Sequence, residues 1–91
     1  MLVRLEKLNT LRENNMIIVG NDNKINFSEA INIRIENTRN DDYNLVAYSL
    51  NKNNIYKKTV LGKYKMLKYA QLHLRKIYIS AKNKEKICKV G

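Results

Sequence analysis

Few residues in this 91-residue chain are suited to acid–base or nucleophilic chemistry. The single histidine, His73, falls at the margin of an apolar helical pattern, where a packed or half-exposed imidazole is expected rather than a catalytic one. The single cysteine, Cys88, lies in a basic stretch with no base near it in the sequence. Asp22, Asp41 and Asp42 fall in predicted turns, which favour aspartate for structural reasons. The sequence therefore predicts no catalytic residues of the metal-dependent or triad type.

Signatures of metal and cofactor sites are also missing from the sequence. No pair of His, Cys, Asp or Glu residues has the spacing of metal ligands, and no glycine-rich phosphate-binding loop occurs. The common RNA-recognition, zinc-finger, helix-turn-helix and KH signatures are absent. A lone cysteine excludes an internal disulfide framework and suits a reducing cytosol. We therefore expect a protein that is not an enzyme and that uses neither metal nor cofactor.

Charge is distributed very unevenly along the chain. Residues 1–51 carry six basic and seven acidic side chains, a net charge of −1, whereas residues 52–91 carry twelve basic side chains and one acidic one, a net charge of +11. The abundance of Asn, Lys and Ile is typical of A/T-rich codons, but codon usage does not explain why eleven of 13 lysines lie in the last forty positions. This asymmetry predicts an acidic partner, either nucleic acid or an anionic protein surface, and less readily a membrane. A charged face that serves only solubility is the alternative.

Changes of pattern divide the chain into a short arm and one α+β domain. Leucines at every third position predict a helical arm over residues 1–15, followed by a single domain over residues 16–91. From Met16 onward, short apolar runs separated by Asn- and Asp-rich turns predict an antiparallel sheet of four to five short strands within residues 16–61. The predicted strands are 16–19, 24–27, 31–36, 43–50 and 55–61.

One long C-terminal helix is predicted within residues 63–83. Its apolar face should pack on the sheet, and comprises Met66, Ala70, His73, Leu74, Ile77 and Ala81, flanked by Leu67 and Tyr78. The basic tail at residues 84–91 is expected to fray.

The opposite face of this helix mixes cations with apolar side chains, which a merely solvated surface does not need. Three hypotheses remain open: the N-terminal arm covers the apolar residues, a homodimer buries them, or they form a binding surface with an apolar centre and a cationic rim. The candidate partner-binding residues are Lys63, Lys65, Lys68, Tyr69, Leu72, Arg75, Lys76 and Ile79.

A second candidate set joins the last predicted strand to the start of the helix. Backbone N–H groups at a helix start favour a phosphate or carboxylate, and tyrosine beside lysine suits stacking on unpaired bases. Strand alternation places Lys57 and Lys58 on opposite faces, so these two lysines do not automatically form one patch. The candidate nucleic-acid-binding residues are Lys57, Lys58, Lys63, Tyr64 and Lys65.

From Met16 to about Ser80 the layout resembles small uncharacterised proteins of Firmicutes phages and prophages. Four motifs carry the resemblance: MIIVGNDNKINF, INIRIE, YNLVAYSL, and LGKYK leading into a helix that contains YAQLHLRKI. The resemblance implies an accessory protein that acts on host machinery in the host cytoplasm, such as an anti-CRISPR-like factor.

Together these observations lead to one functional hypothesis and two alternatives. The hypothesis is a non-enzymatic, phage-type protein that inhibits a host nucleoprotein defence complex by stoichiometric binding through a basic surface. No apolar run approaches the ~20 residues needed to span a membrane, so no membrane partner is expected. One alternative is a direct DNA- or RNA-binding regulator. The other is a small basic ribonuclease toxin of the RelE type, a class that cuts RNA with Lys, Arg and Tyr.

Overall fold

The structure, a computed structural model, describes residues 14–90 and contains one long helix and two β-sheets of three strands each. In chain order the elements are β1 (Ile17–Val19), β2 (Lys24–Asn26), a single 3-10 turn (Phe27–Glu29), β3 (Ala30–Asn37), β4 (Tyr43–Leu50), β5 (Tyr56–Tyr64), α1 (Leu67–Lys82) and β6 (Ile87–Lys89). The predicted α+β class, with one helix packed on antiparallel strands, is confirmed. The predicted arm at residues 1–15 lies outside the described residues except for its last two positions.

The large sheet is an antiparallel meander in which β4 lies between β3 and β5. Alternation in β3 turns Ile33 toward the core, where it is paired with Ala47 of β4. Leu45, Val46 and Ala47 are fully buried, so the middle of β4 is covered on both faces, as its apolar sequence predicts for a central strand.

A β-bulge in β5 lies against Gly20, the residue that follows β1. Leu45 and Val46 pair with Gly62 and Val60, which leaves Leu61 as the extra residue. The Leu61 carbonyl accepts a hydrogen bond from the backbone N–H of Asn21 at 2.9 Å. A Cβ atom on Gly20 would lie 2.2 Å from that carbonyl oxygen, so the approach of the two backbones requires glycine.

The small sheet has the order β2-β1-β6. β1 and β2 form an antiparallel pair, whereas β6 lies parallel to β1. Two predictions are therefore wrong: the strands form two sheets with one parallel pairing rather than one antiparallel sheet, and the 84–91 tail does not simply fray. β6 is held because its central residue Cys88 and the following Val90 are each only 2% exposed and pack in the core.

Helix α1 lies across the large sheet and also contacts β6. Ala70, Ile77 and Ala81 are buried, and Leu74 and Tyr78 pack partly against the same core. Met66 was predicted for this face, but it is 49% exposed because it is the N-cap residue, with extended backbone, and precedes the first helical turn. β5 also runs three residues beyond the predicted strand limit of residue 61, and α1 lies inside its predicted window of residues 63–83.

Candidate binding surface

The side of α1 that faces away from the sheet carries a row of exposed residues. Lys68, Leu72, Arg75 and Ile79 follow one another at intervals of four, three and four residues, which places them on one helical face about 16 Å long. Leu72 is 56% exposed and Ile79 is 50% exposed. We call this row, with the adjacent Lys76 and Tyr69, the outer helix face.

Every charged side chain of α1 is basic. Its sixteen residues include four basic side chains and no Asp or Glu. These four cations, Lys68, Arg75, Lys76 and Lys82, form no ion pair with any residue between positions 14 and 90. The Lys68 ammonium lies 5.2 Å from the centre of the Tyr69 ring, a cation–π contact of roughly 0.5–1 kcal/mol at an exposed site. The outer helix face therefore presents positive charge that no described side chain neutralises.

Helix stability does not account for this composition. The first turn of α1 has no acidic residue, and the N-cap Met66 makes no side-chain hydrogen bond to the exposed N–H groups. Lys68 places a positive charge at the end of the helix where the macrodipole is also positive. The sequence thus lacks the usual stabilising residues at the helix start. The cations are therefore better explained by binding to a partner than by stabilisation of the helix.

Two lysines of the predicted partner-binding set lie elsewhere. Lys63 belongs to β5, where it is exposed and paired with Asn44 of β4. Lys65 lies between β5 and α1, and its Nζ is 3.0 Å from a carboxylate oxygen of Asp42. The outer helix face therefore unites the six helical members of the set and leaves out these two.

The second predicted set is not brought together into one surface. Lys57 and Lys58 lie on opposite faces of the large sheet, and the Lys58 Nζ is 2.6 Å from a Glu36 carboxylate oxygen. Lys63 lies near the other end of β5, five residues beyond Lys58, and Tyr64 turns inward. The phosphate site that the sequence suggested at the helix start thus lacks converging cations.

Tyr64 connects three elements instead. Its hydroxyl is 2.6 Å from the Val90 carbonyl oxygen and 2.6 Å from Nδ1 of His73. A carbonyl can only accept, so the hydroxyl donates to Val90 and receives a hydrogen bond from the Nδ1–H of His73. Burial raises the pKa of Tyr64, which keeps the phenol protonated and able to donate. This cluster joins β5, α1 and the residue after β6, which is a structural role for the only histidine.

A polar cluster on the outer face of the large sheet was not identified from the sequence. The Glu36 carboxylate accepts hydrogen bonds from Lys58 and from the hydroxyl of Tyr48, and it lies 3.5 Å from Nε of Arg34. The Lys58 and Tyr48 hydrogen bonds lower the pKa of Glu36. Strand register would have shown only part of this cluster, since Tyr48 is paired with Lys58 whereas Glu36 is paired with Asn44.

Within residues 14–90, no three His, Cys, Asp or Glu side chains are grouped so as to hold a metal ion. The described helix is too short and too polar to cross a membrane.

Comparison of the chain with known protein families, with curated proteins and with solved structures finds no match.

Proposed function

We propose that this chain is a stoichiometric binding protein that attaches through its outer helix face to an acidic groove on a nucleoprotein complex and blocks it. The observation that carries the proposal is the pair of half-exposed apolar residues, Leu72 and Ile79, on a helix that has no acidic residue and four cations without an ion-pair partner in residues 14–90.

The spacing of the outer helix face fits insertion of a helix into a groove. Leu72 and Ile79 stand at positions i and i+7, the outer two anchor positions of that recognition mode, and the cations Arg75 and Lys76 occupy positions i+3 and i+4. The helix is only about 24 Å long, so contact with a flat surface would bury much less than the roughly 800 Å² per partner of a standard interface. A groove allows the flanks of the helix to contribute as well, and Tyr69 on one flank is a residue type enriched at binding hot spots.

The apolar centre favours a protein component in the partner over bare nucleic acid. Contacts to phosphates require only cations and polar groups, and they do not need leucine or isoleucine at the centre of the surface. Burial of apolar side chains inside a cationic rim is instead the arrangement found in specific protein interfaces, where charge speeds association and apolar contact holds the complex. A nucleoprotein offers both a protein groove and nearby phosphates.

The resemblance to small phage and prophage proteins of Firmicutes directs the choice of target. A cationic accessory protein of that origin would act in the host cytoplasm, and the target that we propose is a defence complex such as a CRISPR effector. The positive charge excludes a mechanism of DNA mimicry, because a mimic must be acidic. The inhibitor would instead occupy the surface where guide or target nucleic acid meets the protein.

The direct test is binding of the full chain to a purified Firmicutes CRISPR effector, loaded with guide RNA or empty. The double variant Leu72→Ser/Ile79→Ser should weaken binding about 10- to 100-fold, since truncation of each central anchor costs roughly 1 kcal/mol or more. The matched control is Ile55→Ser, because Ile55 is as exposed as Leu72 but lies in the β4–β5 turn region. Equal affinities of the double variant and the control would overturn the proposal.

The two alternative functions give different results in the same assay. Tight binding to naked RNA or DNA, abolished by nuclease treatment, would indicate a nucleic-acid-binding regulator and would refute the inhibitor proposal. Cleavage of RNA by the purified chain would indicate the ribonuclease. Charge reversal through Lys68→Glu/Arg75→Glu should slow association strongly at low salt and weakly at high salt, with Lys52→Glu as the matched control.

A further inference from the structure

A cleft separates the small sheet from one end of the large sheet. It has a volume of about 430 Å³, within the range of about 300–1,000 Å³ that small-molecule sites occupy. β1, β2 and the 3-10 turn form one side, and the end of β4 with the start of β5 forms the other. The cleft lies on strands rather than on α1, so it shares no residue with the outer helix face.

Two nearly buried residues of the cleft carry hydroxyls that bond to no residue among those the structure describes. Ser49 is 8% exposed and Thr59 is 9% exposed, and both line the cleft. Neither hydroxyl makes a hydrogen bond to any residue in the described range 14–90. Neither oxygen is fully enclosed, since the one enclosed side-chain polar atom without a partner among the described residues is Oδ1 of Asn44, so both hydroxyls are accessible from the cleft. Both groups lie on the inner face of β4 and β5, where a polar ligand that enters the cleft can form hydrogen bonds with them.

The charges around the cleft indicate which kind of ligand fits. Lys24 of β2 and Lys57 of β5 line it from opposite sides, and Glu29 lies in the 3-10 turn. None of the three forms an ion pair with a described residue. Two ammonium groups and two hydroxyls suit an oxyanion, since charge-assisted hydrogen bonds from lysine and neutral ones from Ser and Thr are typical of phosphate sites.

The remaining walls suit an organic body attached to that oxyanion. Ile25 and Leu50 provide apolar surface, and the Glu29 carboxylate can accept hydrogen bonds from ligand hydroxyl or amino groups. We propose that this cleft binds a phosphate monoester with a polar organic body, as in a nucleoside monophosphate. The same chemistry occurs in a free metabolite and at the 5′-phosphorylated end of a nucleic-acid strand.

The experiment is a titration of the full chain with AMP, followed by backbone amide NMR shifts. Shifts should concentrate at Lys24, Ser49, Lys57 and Thr59, while adenosine should cause shifts at least tenfold weaker at equal concentration. A 5′-phosphorylated trinucleotide separates the two sources: binding at least as tight as that of AMP assigns the site to a strand end, and weaker binding assigns it to a free metabolite. If AMP at millimolar concentration causes no localised shifts, or if adenosine matches it, the site is refuted.

Adjacent lysines provide the matched control. Lys57→Gln should lower the affinity for AMP at least tenfold. Lys58→Gln should change that affinity less than twofold, because the Lys58 side chain lies on the opposite face of the sheet. Equal losses in the two variants would show that only general positive charge attracts AMP, and would overturn the proposal.

Thr59→Val supplies a second, independent readout. Valine keeps the shape of threonine and removes the unpartnered hydroxyl, so the urea midpoint without ligand should stay the same or rise while AMP affinity falls at least fivefold. A lower urea midpoint with unchanged AMP affinity would assign the hydroxyl to folding and contradict the inference. The double variant Leu72→Ser/Ile79→Ser should bind AMP with unchanged affinity. The experiments therefore test partner binding by the outer helix face and AMP binding in the cleft separately.

Discussion

Replacement of Tyr64 by phenylalanine tests the cluster that joins β5, α1 and the chain after β6. The change removes only the hydroxyl, whose oxygen lies 2.6 Å from both the Val90 carbonyl and His73 Nδ1. Each hydrogen bond contributes roughly 0.5–1.5 kcal/mol, and the buried Val90 carbonyl loses its side-chain donor. Tyr64→Phe should therefore lower the free energy of unfolding by about 1–3 kcal/mol, and the melting temperature by about 4–8 °C for each kcal/mol in a domain of this size.

Urea denaturation is the appropriate assay for this variant, with Tyr56→Phe as its control. Tyr56 is 67% exposed, and loss of its hydroxyl should change the free energy of unfolding by less than about 0.5 kcal/mol. Hydrogen exchange gives a local measure: the Val90 amide, which donates to the Val19 carbonyl at 2.8 Å, should exchange faster in Tyr64→Phe. If the two phenylalanine variants have equal stability, the cluster does not hold β6 and the reasoning fails.

Two further perturbations follow from the structure. Gly20→Ala should lower the free energy of unfolding by about 1–3 kcal/mol or more, because its Cβ would lie 2.2 Å from the Leu61 carbonyl oxygen; an unchanged urea midpoint would contradict this close approach. The pKa of Glu36 is lowered from its ordinary value of 4.5, chiefly by the hydrogen bond from Lys58. The ionised Glu36 therefore stabilises the folded state fully above pH 4.5, and this stabilisation is lost as the pH falls through the lower pKa of the folded state. A carboxyl NMR titration should give a midpoint below 4.5 that rises in Lys58→Met and not in Lys57→Met, and a midpoint insensitive to both would refute the pairing.

Features set by local periodicity could be predicted from the sequence. Alternation at Ile31–Glu36 lies within β3, and the 3.6-residue pattern correctly placed Ala70 and Ile77 inward and Leu72 outward on α1. These patterns are reliable because each depends on residues a few positions apart. The composition of the outer helix face was predictable for the same reason.

Features that depend on distant residues could not be predicted in this way. β6 has only three residues, and it is a strand because it pairs with β1, about 70 positions earlier in the chain. Cys88 and Val90 alternate with Lys89, but an alternation this short among lysines gave no usable strand signal. The cleft likewise combines β1, β2, β4 and β5, so no contiguous motif contains Lys24 together with Lys57.

The parallel pairing of β1 with β6 has a consequence for synthesis of the chain. β1 is among the first described segments to leave the ribosome, yet its second neighbour in the sheet does not exist until residues 87–89 have been added. The antiparallel meander β3–β4–β5 depends on contacts closer in sequence and can form earlier. During translation β1, with its apolar residue Ile18, therefore lacks one of its two neighbouring strands. We expect the nascent protein to be most prone to aggregation before β6 has been synthesised.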